Sequence, residues 1–352
     1  MTASEDKPPR PAARDRAVTM QDIARAAGVS QSTVSRVLND APTPVPIAAD
    51  TRERVLEVAE RLGYSPNPLA RGLRGAKTML LGVIVREISD PFFATAVEAL
   101  STQARGLGYN VVLGSAHGRA DEAIALKAVL ETRHCDAIVL LGDMRDQPRL
   151  LGDLRASNTP VVALWQGTAM EGVPSINIDN RLGITAAIDH LYGSGHRRIG
   201  FIGGRPMGDI RERRAAFVEY LTSIDLRPTE GHMQQASNDP EGGYSAFVRL
   251  MSQSEPPTAV VVATDFLATG ALHAAHTMGL VVPNDVSIVG FDDLPLAAYT
   301  VPSLTTVHMP ISEMTALAIG VAIEQDVLPP PENLILTPTL VVRQSSGPAP
   351  SG

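Results

Sequence analysis

The sequence is poor in the features that build covalent scaffolds, membrane spans and enzyme active sites. One cysteine, Cys135, stands among 352 residues, so an internal disulfide framework is excluded and a reducing compartment is implied. No apolar run approaches the roughly 20 residues that cross a bilayer, and mean hydropathy is +0.04; no membrane segment is expected. Residues 1–18, MTASEDKPPRPAARDRAV, lack the apolar core of a signal peptide and read as a disordered tail with a few arginines. A cytoplasmic protein is the expectation. Enzyme motifs are missing too: there is no G-x-x-x-x-G-K, no G-x-G-x-x-G around Gly200, Gly203 and Gly204, and no G-x-S-x-G elbow. His273 and His276 share a helical spacing, but no third metal ligand accompanies them. Asp292 and Asp293 are neighbours on an extended segment and point opposite ways, which makes them poor acid–base partners. Cys135 has no activating neighbour and reads as structural. No catalytic residue, cofactor or metal is therefore expected.

What is present organises around Thr19 to Asn39, TMQDIARAAGVSQSTVSRVLN. Thr19 with Asp22 three residues on is a helix-start signal, the hydroxyl capping orphan amides and the carboxylate favoured at the positive end of the dipole. A helix over about Met20 to Ala27 follows. Gly28 supplies the tight turn, Val29 an apolar plug, and Ser30 caps a second helix from Gln31 to about Leu38. Ile23, Ala24, Ala27, Val29, Val34, Val37 and Leu38 fall on one buried side, leaving Gln31, Ser32, Thr33, Ser35 and Arg36 outward. Arginine grips guanine bidentately, and Gln, Ser and Thr bond to base edges, so this face has the chemistry of a major-groove reader. A plain helical hairpin with a polar outer face is the alternative from pattern alone.

The string itself closely resembles the helix-turn-helix of the LacI/GalR family of bacterial transcription regulators. The family's opening pattern is met at Thr19, Asp22, Ile23, Ala24, Ala27, Gly28, Val29, Ser30, Thr33, Val34, Ser35, Arg36, Val37, Leu38 and Asn39. The resemblance implies a reader over residues 19–64, with Thr19, Ser30, Gln31, Ser32, Thr33, Arg36 and Asn39 at the DNA. The loop DAPTPVPIAAD is a few residues longer than the family's, and a third helix is expected from about Asp50 to Leu62 through Val55, Val58, Ala59 and Leu62. Residues 65–78 begin with Ser65-Pro66-Asn67-Pro68, a Pro-started helix too short to persist alone, or a linker. They resemble the family's hinge, which implies that Leu73 enters the minor groove at the dimer centre.

Charge divides along the same line. Residues 1–78 carry +3 and the remainder −11, which together give the chain its −8. Local phosphate contacts rather than total charge govern DNA affinity, so an acidic body is compatible with a basic reader.

From Met79 the texture changes to continuous apolar runs alternating with helical patterns. Strands are expected at Leu80 to Val85, Val111 to Leu113, Ala137 to Leu141, Val161 to Leu164, Ile199 to Ile202, Val260 to Val262 and Val286 to Val289. Helices are expected at Phe92 to Gly106, Asp121 to Thr132, Gly183 to Tyr192, Arg211 to Ile224 and Phe266 to Met278. Continuous rather than alternating apolar strands imply sheets covered on both faces, hence parallel βαβ units in two facing lobes. Ligands collect at the carboxyl ends of such strands. That places Asp90, Phe92, Phe93, Trp165, Gln166, Arg213, Asp265 and Asp292 as pocket candidates. Rings stack on apolar C–H surfaces and charged groups bond hydroxyls, a set that suits a sugar or a related polar metabolite. Phe92 and Phe93 read equally well as core; the sole Trp reads as pocket.

This part also is similar to the LacI/GalR effector domain, itself like periplasmic sugar-binding proteins. The resemblance rests on Asp90-Pro91-Phe92-Phe93, Ile178-Asp179-Asn180, Gly195-His196-Arg197-Arg198-Ile199, Thr264-Asp265, Gly290-Phe291-Asp292-Asp293, Leu304-Thr305-Thr306-Val307 and Leu340-Val341-Val342-Arg343. It implies effector contacts at Arg213 and Asp292. Thr264 stands where the family often has Asn, and Trp165 where it often has Asp, so the ligand's identity does not carry over. The expected fold is an all-α helix-turn-helix domain followed by a two-lobed α/β periplasmic-binding-protein-like domain with parallel sheets. The effector and dimerisation domain is expected over 79–343, with an N-lobe at about 79–176 and 308–325, a C-lobe at about 177–307 and 326–343, and a tail at 344–352. The expected partners are double-stranded operator DNA, a small-molecule effector and a second copy in a homodimer, with repression the expected output. A solute-binding receptor, or a regulator answering a protein partner, are the alternatives.

Overall fold

The computed structural model describes residues 18–38, 46–64, 77–116, 122, 125–128, 130, 135–144, 152, 159–167, 172–226, 229–323 and 333–350. Two compact units divide between Ala76 and Lys77. The expected tail at 1–18 lies outside the described residues apart from Val18, as does the hinge of 65–78 apart from its last two residues.

In the first unit, α1 (Met20–Ala27) opens on the expected capping box: the Thr19 hydroxyl accepts from Asp22 N at 3.3 Å while Thr19 N and Oγ1 donate to the Asp22 carboxylate at 2.9 and 2.6 Å. Gly28 ends it at φ 69°, a left-handed position that a Cβ would strain. Helix α2 (Gln31–Leu38) and α3 (Ala49–Arg61) complete a small core of Ile23, Ala24, Ala27, Val34, Val37, Val55, Val58 and Ala59. Val29 and Leu38 pack against that core half-buried. Arg54 ties α3 to the end of α1, its Nε donating to the Ala27 carbonyl at 3.1 Å.

The second unit contains two six-stranded sheets. The first is ordered β2 (Asn110–Ser115), β1 (Leu80–Val85), β3 (Ala137–Leu141), β4 (Val161–Leu164), β5 (Ser175–Ile178), β11 (Asn333–Leu336), all parallel. The second runs β7 (Met233–Gln235), β6 (Ile199–Gly203), β8 (Ala259–Val262), β9 (Ser287–Asp292), β10 (Thr305–His308), β12 (Thr339–Val341), parallel except for the antiparallel β12. Strands such as Ala137–Leu141 and Ala259–Val262 are buried at every residue, which is why their sequences show no alternation. Helix α4 (Pro91–Gly106) covers the first sheet; α5 (Asn180–Gly193), α6 (Gly208–Ser223), α7 (Pro240–Met251) and α8 (Asp265–Thr277) belong with the second. The chain crosses between lobes after β5, after β10 and after β11, and α9 (Ile311–Ile323) returns to pack on α4 and the first sheet. Of the helix expected at Asp121 to Thr132, the described residues 125–128 are helical.

Two boundaries are corrected. Residues 326–343 do not all belong to the C-lobe: β11 pairs with β5 in the first sheet, Asn333 opposite Ser175, and Asn177 Nδ2 donates to Asn333 Oδ1 at 2.7 Å. Ser175–Ile178 as a whole belongs to that sheet, so the lobe boundary falls after 178. Nor do the described residues of the expected tail, 344–350, hang free. Ser345 is fully buried, Ile288 N donates to its carbonyl at 2.7 Å and Thr305 N to its hydroxyl at 2.8 Å, and Ala349 N reaches the Ser194 carbonyl at 2.8 Å. Small polar residues fit where amides at the starts of β9 and β10 need acceptors, and composition alone could not register that need.

Candidate DNA-reading helix and effector cleft

Helix α2 presents Gln31, Ser32 and Arg36 exposed, with Thr33 and Ser35 half-buried. The Ser30 hydroxyl accepts from Thr33 N at 3.1 Å and lies 2.7 and 2.8 Å from the hydroxyls of Ser32 and Thr33. The helix start is thus capped by a neutral group, and no acidic side chain stands in its first turn. Of the predicted contacts, Ser30, Gln31, Ser32, Thr33 and Arg36 fall together at this helix, while the Thr19 hydroxyl is engaged in the α1 capping box. Asn39 and Leu73 lie outside the described residues.

Between the sheets lies a cleft of about 660 Å³ whose lining includes Asp90, Phe92, Phe93, Trp165, Arg213 and Asp292. Phe92 and Trp165 meet edge to face at 4.8 Å, and Phe92 and Phe93 at 5.3 Å. Trp165 is almost wholly buried, its indole N–H directed at Met314 Sδ at 3.2 Å, so it is cleft floor and core at once. Trp165 and Asp292 sit at strand ends with φ of 57° and 119°. Such strain persists only where surrounding contacts over-determine it.

Arg213 is buried beneath the cleft. Its Nη1 donates to Asp292 Oδ1 at 3.0 Å and to the Ala263 carbonyl at 2.7 Å, Nε donates to Asn180 Oδ1 at 2.9 Å, and the guanidinium lies 3.6 Å from the Phe291 ring centroid. Burial pushes the Asp292 carboxyl well above the usual carboxylate range, opposed by Arg213 and reinforced by Asp265 and Asp90. Asp90 is raised as well, mainly by burial, against hydrogen bonds from Phe92 N and Asn238.

Asp265 is a correction. It is not among the cleft-lining residues: fully buried, it accepts from Leu294 N at 2.8 Å and from the Thr306 hydroxyl at 2.6 Å. Its neighbour Thr264 lines the cleft instead and caps α8 through Leu267 N at 3.2 Å. The carboxylate bridges Leu294, two residues past the end of β9, and Thr306 of β10. Burial raises its pKa to about 7. Gln166 is likewise structural, fully buried with its side chain bonded to Met144 N and to the carbonyls of Gly142 and Leu164.

Sequence reading missed Asp143, Gly208 and Asn238. Asn238 Nδ2 of the second lobe donates to Asp90 Oδ2 at 2.9 Å, and Gly208 N donates to Asp143 Oδ2 of the first lobe at 2.8 Å. The strand-end rule that selected Trp165 also selects Asp143, two residues past β3. Asn238 was hidden because β7, MQQ, is too short and polar to read as a strand.

A three-helix reader and a two-lobed module around a polar cleft are the parts of a DNA-binding transcription regulator. Residues 19–67 match the family model of bacterial regulatory proteins, lacI family, and 188–346 match the periplasmic binding protein-like domain. The chain is 34% identical over 306 residues to catabolite control protein A of Priestia megaterium, covering 86% of this chain and 90% of that protein. It is 32% identical over 338 residues to the HTH-type transcriptional repressor PurR of Yersinia pestis bv. Antiqua, covering 94% and 98%. Among solved structures, the lac repressor dimer bound to operator and the anti-inducer ONPF superposes with a TM-score of 0.81 at 27% identity, covering 94% of this chain and 100% of that one. The complex of the transcriptional regulator CelR with cellobiose gives 0.69 at 28%, covering 93% and 99%. The chain belongs to the lacI family of bacterial regulatory proteins. It is a DNA-binding transcriptional regulator and not an enzyme. Among the described residues no helix is long and apolar enough to cross a membrane.

Proposed function

We propose that the chain acts in the cytoplasm as a homodimeric repressor of a pseudo-palindromic operator, released or recruited by a sugar or related polar metabolite held between its lobes. The observation that carries the ligand reading is the cleft itself, where Phe92, Phe93 and Trp165 stand beside Asp90 and Asp292. Apolar ring faces cover C–H surfaces, and buried carboxylates accept from hydroxyls, each bond to a charged group being worth about 1.5–3 kcal/mol. The named cellobiose complex of CelR supports the same ligand class. Arg36 reads guanine, Gln31, Ser32 and Thr33 set the rest of each half-site, and Leu73 wedges the central step. A ligand that binds one lobe arrangement better than another shifts operator affinity by about 5- to 150-fold for a coupling of about 1–3 kcal/mol.

The test is selection of bound DNA from a random pool with the full chain, repeated with Leu73→Ala and followed by competition with a sugar panel. A two-fold symmetric site, weakened by Leu73→Ala and released or tightened by one sugar, supports the reading. Enrichment of no symmetric site sinks it.

A further inference from the structure

The start of a helix offers unpaired backbone N–H groups and a positive dipole end, which makes it the usual protein site for phosphate and carboxylate groups. Four helices begin at this cleft, at Pro91, Gly208, Pro240 and Asp265. Three are closed by caps of their own: Asp90 accepts from Phe92 N at 3.0 Å, Asp239 from Gly242 N at 2.7 Å, and Thr264 from Leu267 N at 3.2 Å. The fourth, Gly208–Ser223, has Met207 at its N-cap and no cap from its own chain segment. Its first amide is taken by Asp143, which reaches across from the other lobe.

The approach that allows this is tight. A Cβ on Gly208 would stand 2.9 Å from the Asp143 Cβ, and one on Gly167 would stand 2.8 Å from the Gly208 carbonyl carbon. Both glycines hold positive φ, 47° and 81°. The two lobes therefore meet backbone to backbone beside the carboxylate, which is nearly buried.

Charge in the cleft runs the same way. Six carboxylates and three arginines line it. The one deeply buried arginine, Arg213, is engaged by Asp292, Asn180, the Ala263 carbonyl and the Phe291 ring. Each helix start at the cleft already has one amide held by a carboxylate or hydroxyl oxygen, with which an anion would have to compete.

We infer that the cleft selects an uncharged or cationic polyhydroxy ligand and rejects phosphorylated or carboxylated ones, with Asp143, an N-cap supplied in trans, as the residue that enforces the choice. An anionic ligand has to displace Asp143 from Gly208 and face the remaining carboxylates; a hydroxyl or ammonium donor finds Asp90 and Asp292 as acceptors. This rests on the cleft being the effector site, as proposed above.

Trp165, the only tryptophan, lies in the cleft lining, so its fluorescence reads this site and not the DNA-binding unit. The full chain is titrated with inorganic phosphate at constant ionic strength, as wild type and as Asp143→Ala, with Asp143→Ser substituting if the alanine variant does not fold. No saturable response in wild type and a saturable one in the variant is the expected result. Saturable phosphate binding by wild type, or none by the folded variant, overturns the inference. In a second arm glucose, glucosamine and glucose 6-phosphate are compared on wild type. The phosphate ester is expected to bind at least about tenfold more weakly than the better of the other two, and tighter binding of the ester overturns the inference. If all three sugars are silent while the phosphate arm behaves as expected, the charge selection stands and the sugar reading of the cleft falls.

Discussion

The reader helix and the cleft treat the same element in opposite ways. At α2 the helix start is capped by a neutral hydroxyl, no acid stands in the first turn, and Arg36 is exposed. At the cleft, two of four helix starts are capped by their own aspartates and a third by Asp143, while Arg213 is buried and engaged. Helix termini and arginines carry no fixed role; the groups around them decide whether they face a polyanion or shut anions out.

The largest expected effect breaks the cleft side of that contrast. Arg213→Ala leaves Asp292 buried without its partner, and losing one member of a buried pair costs about 3–5 kcal/mol. Urea unfolding of the second unit should show that loss; a midpoint unchanged from wild type would mean Arg213 is dispensable for folding. On the reader side, Arg36→Ala touches nothing in the core and should leave thermal stability alone while operator discrimination drops by about 1–3 kcal/mol at one base pair per half-site. Fluorescence anisotropy with the selected operator and its single-base variants measures this, and intact specificity would remove Arg36 from the reading face.

A third change gives the reader the cleft's chemistry. Ser30→Asp keeps a good cap, since Asp and Ser serve almost equally, but sets a carboxylate at the DNA. Stability should hold while operator affinity falls by about tenfold at low salt, the gap narrowing as salt rises. Equal affinity would show that the neutral cap is incidental.

The last effect is read against pH and concerns Asp265, raised to about 7 by burial. A carboxyl whose folded value lies above its unfolded value of about 3.9 lends stability that is complete at low pH and lost as pH rises through about 7. Wild-type melting temperature should therefore decline across that window, and Asp265→Asn, which can still accept from Leu294 N and bond the Thr306 hydroxyl, should flatten the decline. An equally steep variant would assign the slope to other groups.

Legibility followed the range of the interactions. The Thr19–Asp22 box, the Gly28 turn and the buried stripe of α1 and α2 are set by residues within four positions of one another, and all are found where the pattern puts them. Long apolar strands were readable for the same reason. Short or polar strands such as Met233–Gln235 and Thr339–Val341 were not, because edge strands need few apolar residues.

The sequence by itself determined the helix pair of the first unit, the alternation of strand and helix in the second, the cap at Asp90 and the strand ends at which Trp165 and Asp292 stand, since each follows from local periodicity and capping; the DNA-reading role followed from the family resemblance of the string. Only the tertiary structure decided that Asp265 turns inward to Thr306, that Ser345 accepts from the amides at the starts of β9 and β10, and that Asp143 caps a helix of the opposite lobe, 65 residues along the chain. Those contacts depend on which amide lacks an acceptor once both sheets have folded, and the local pattern holds no record of that.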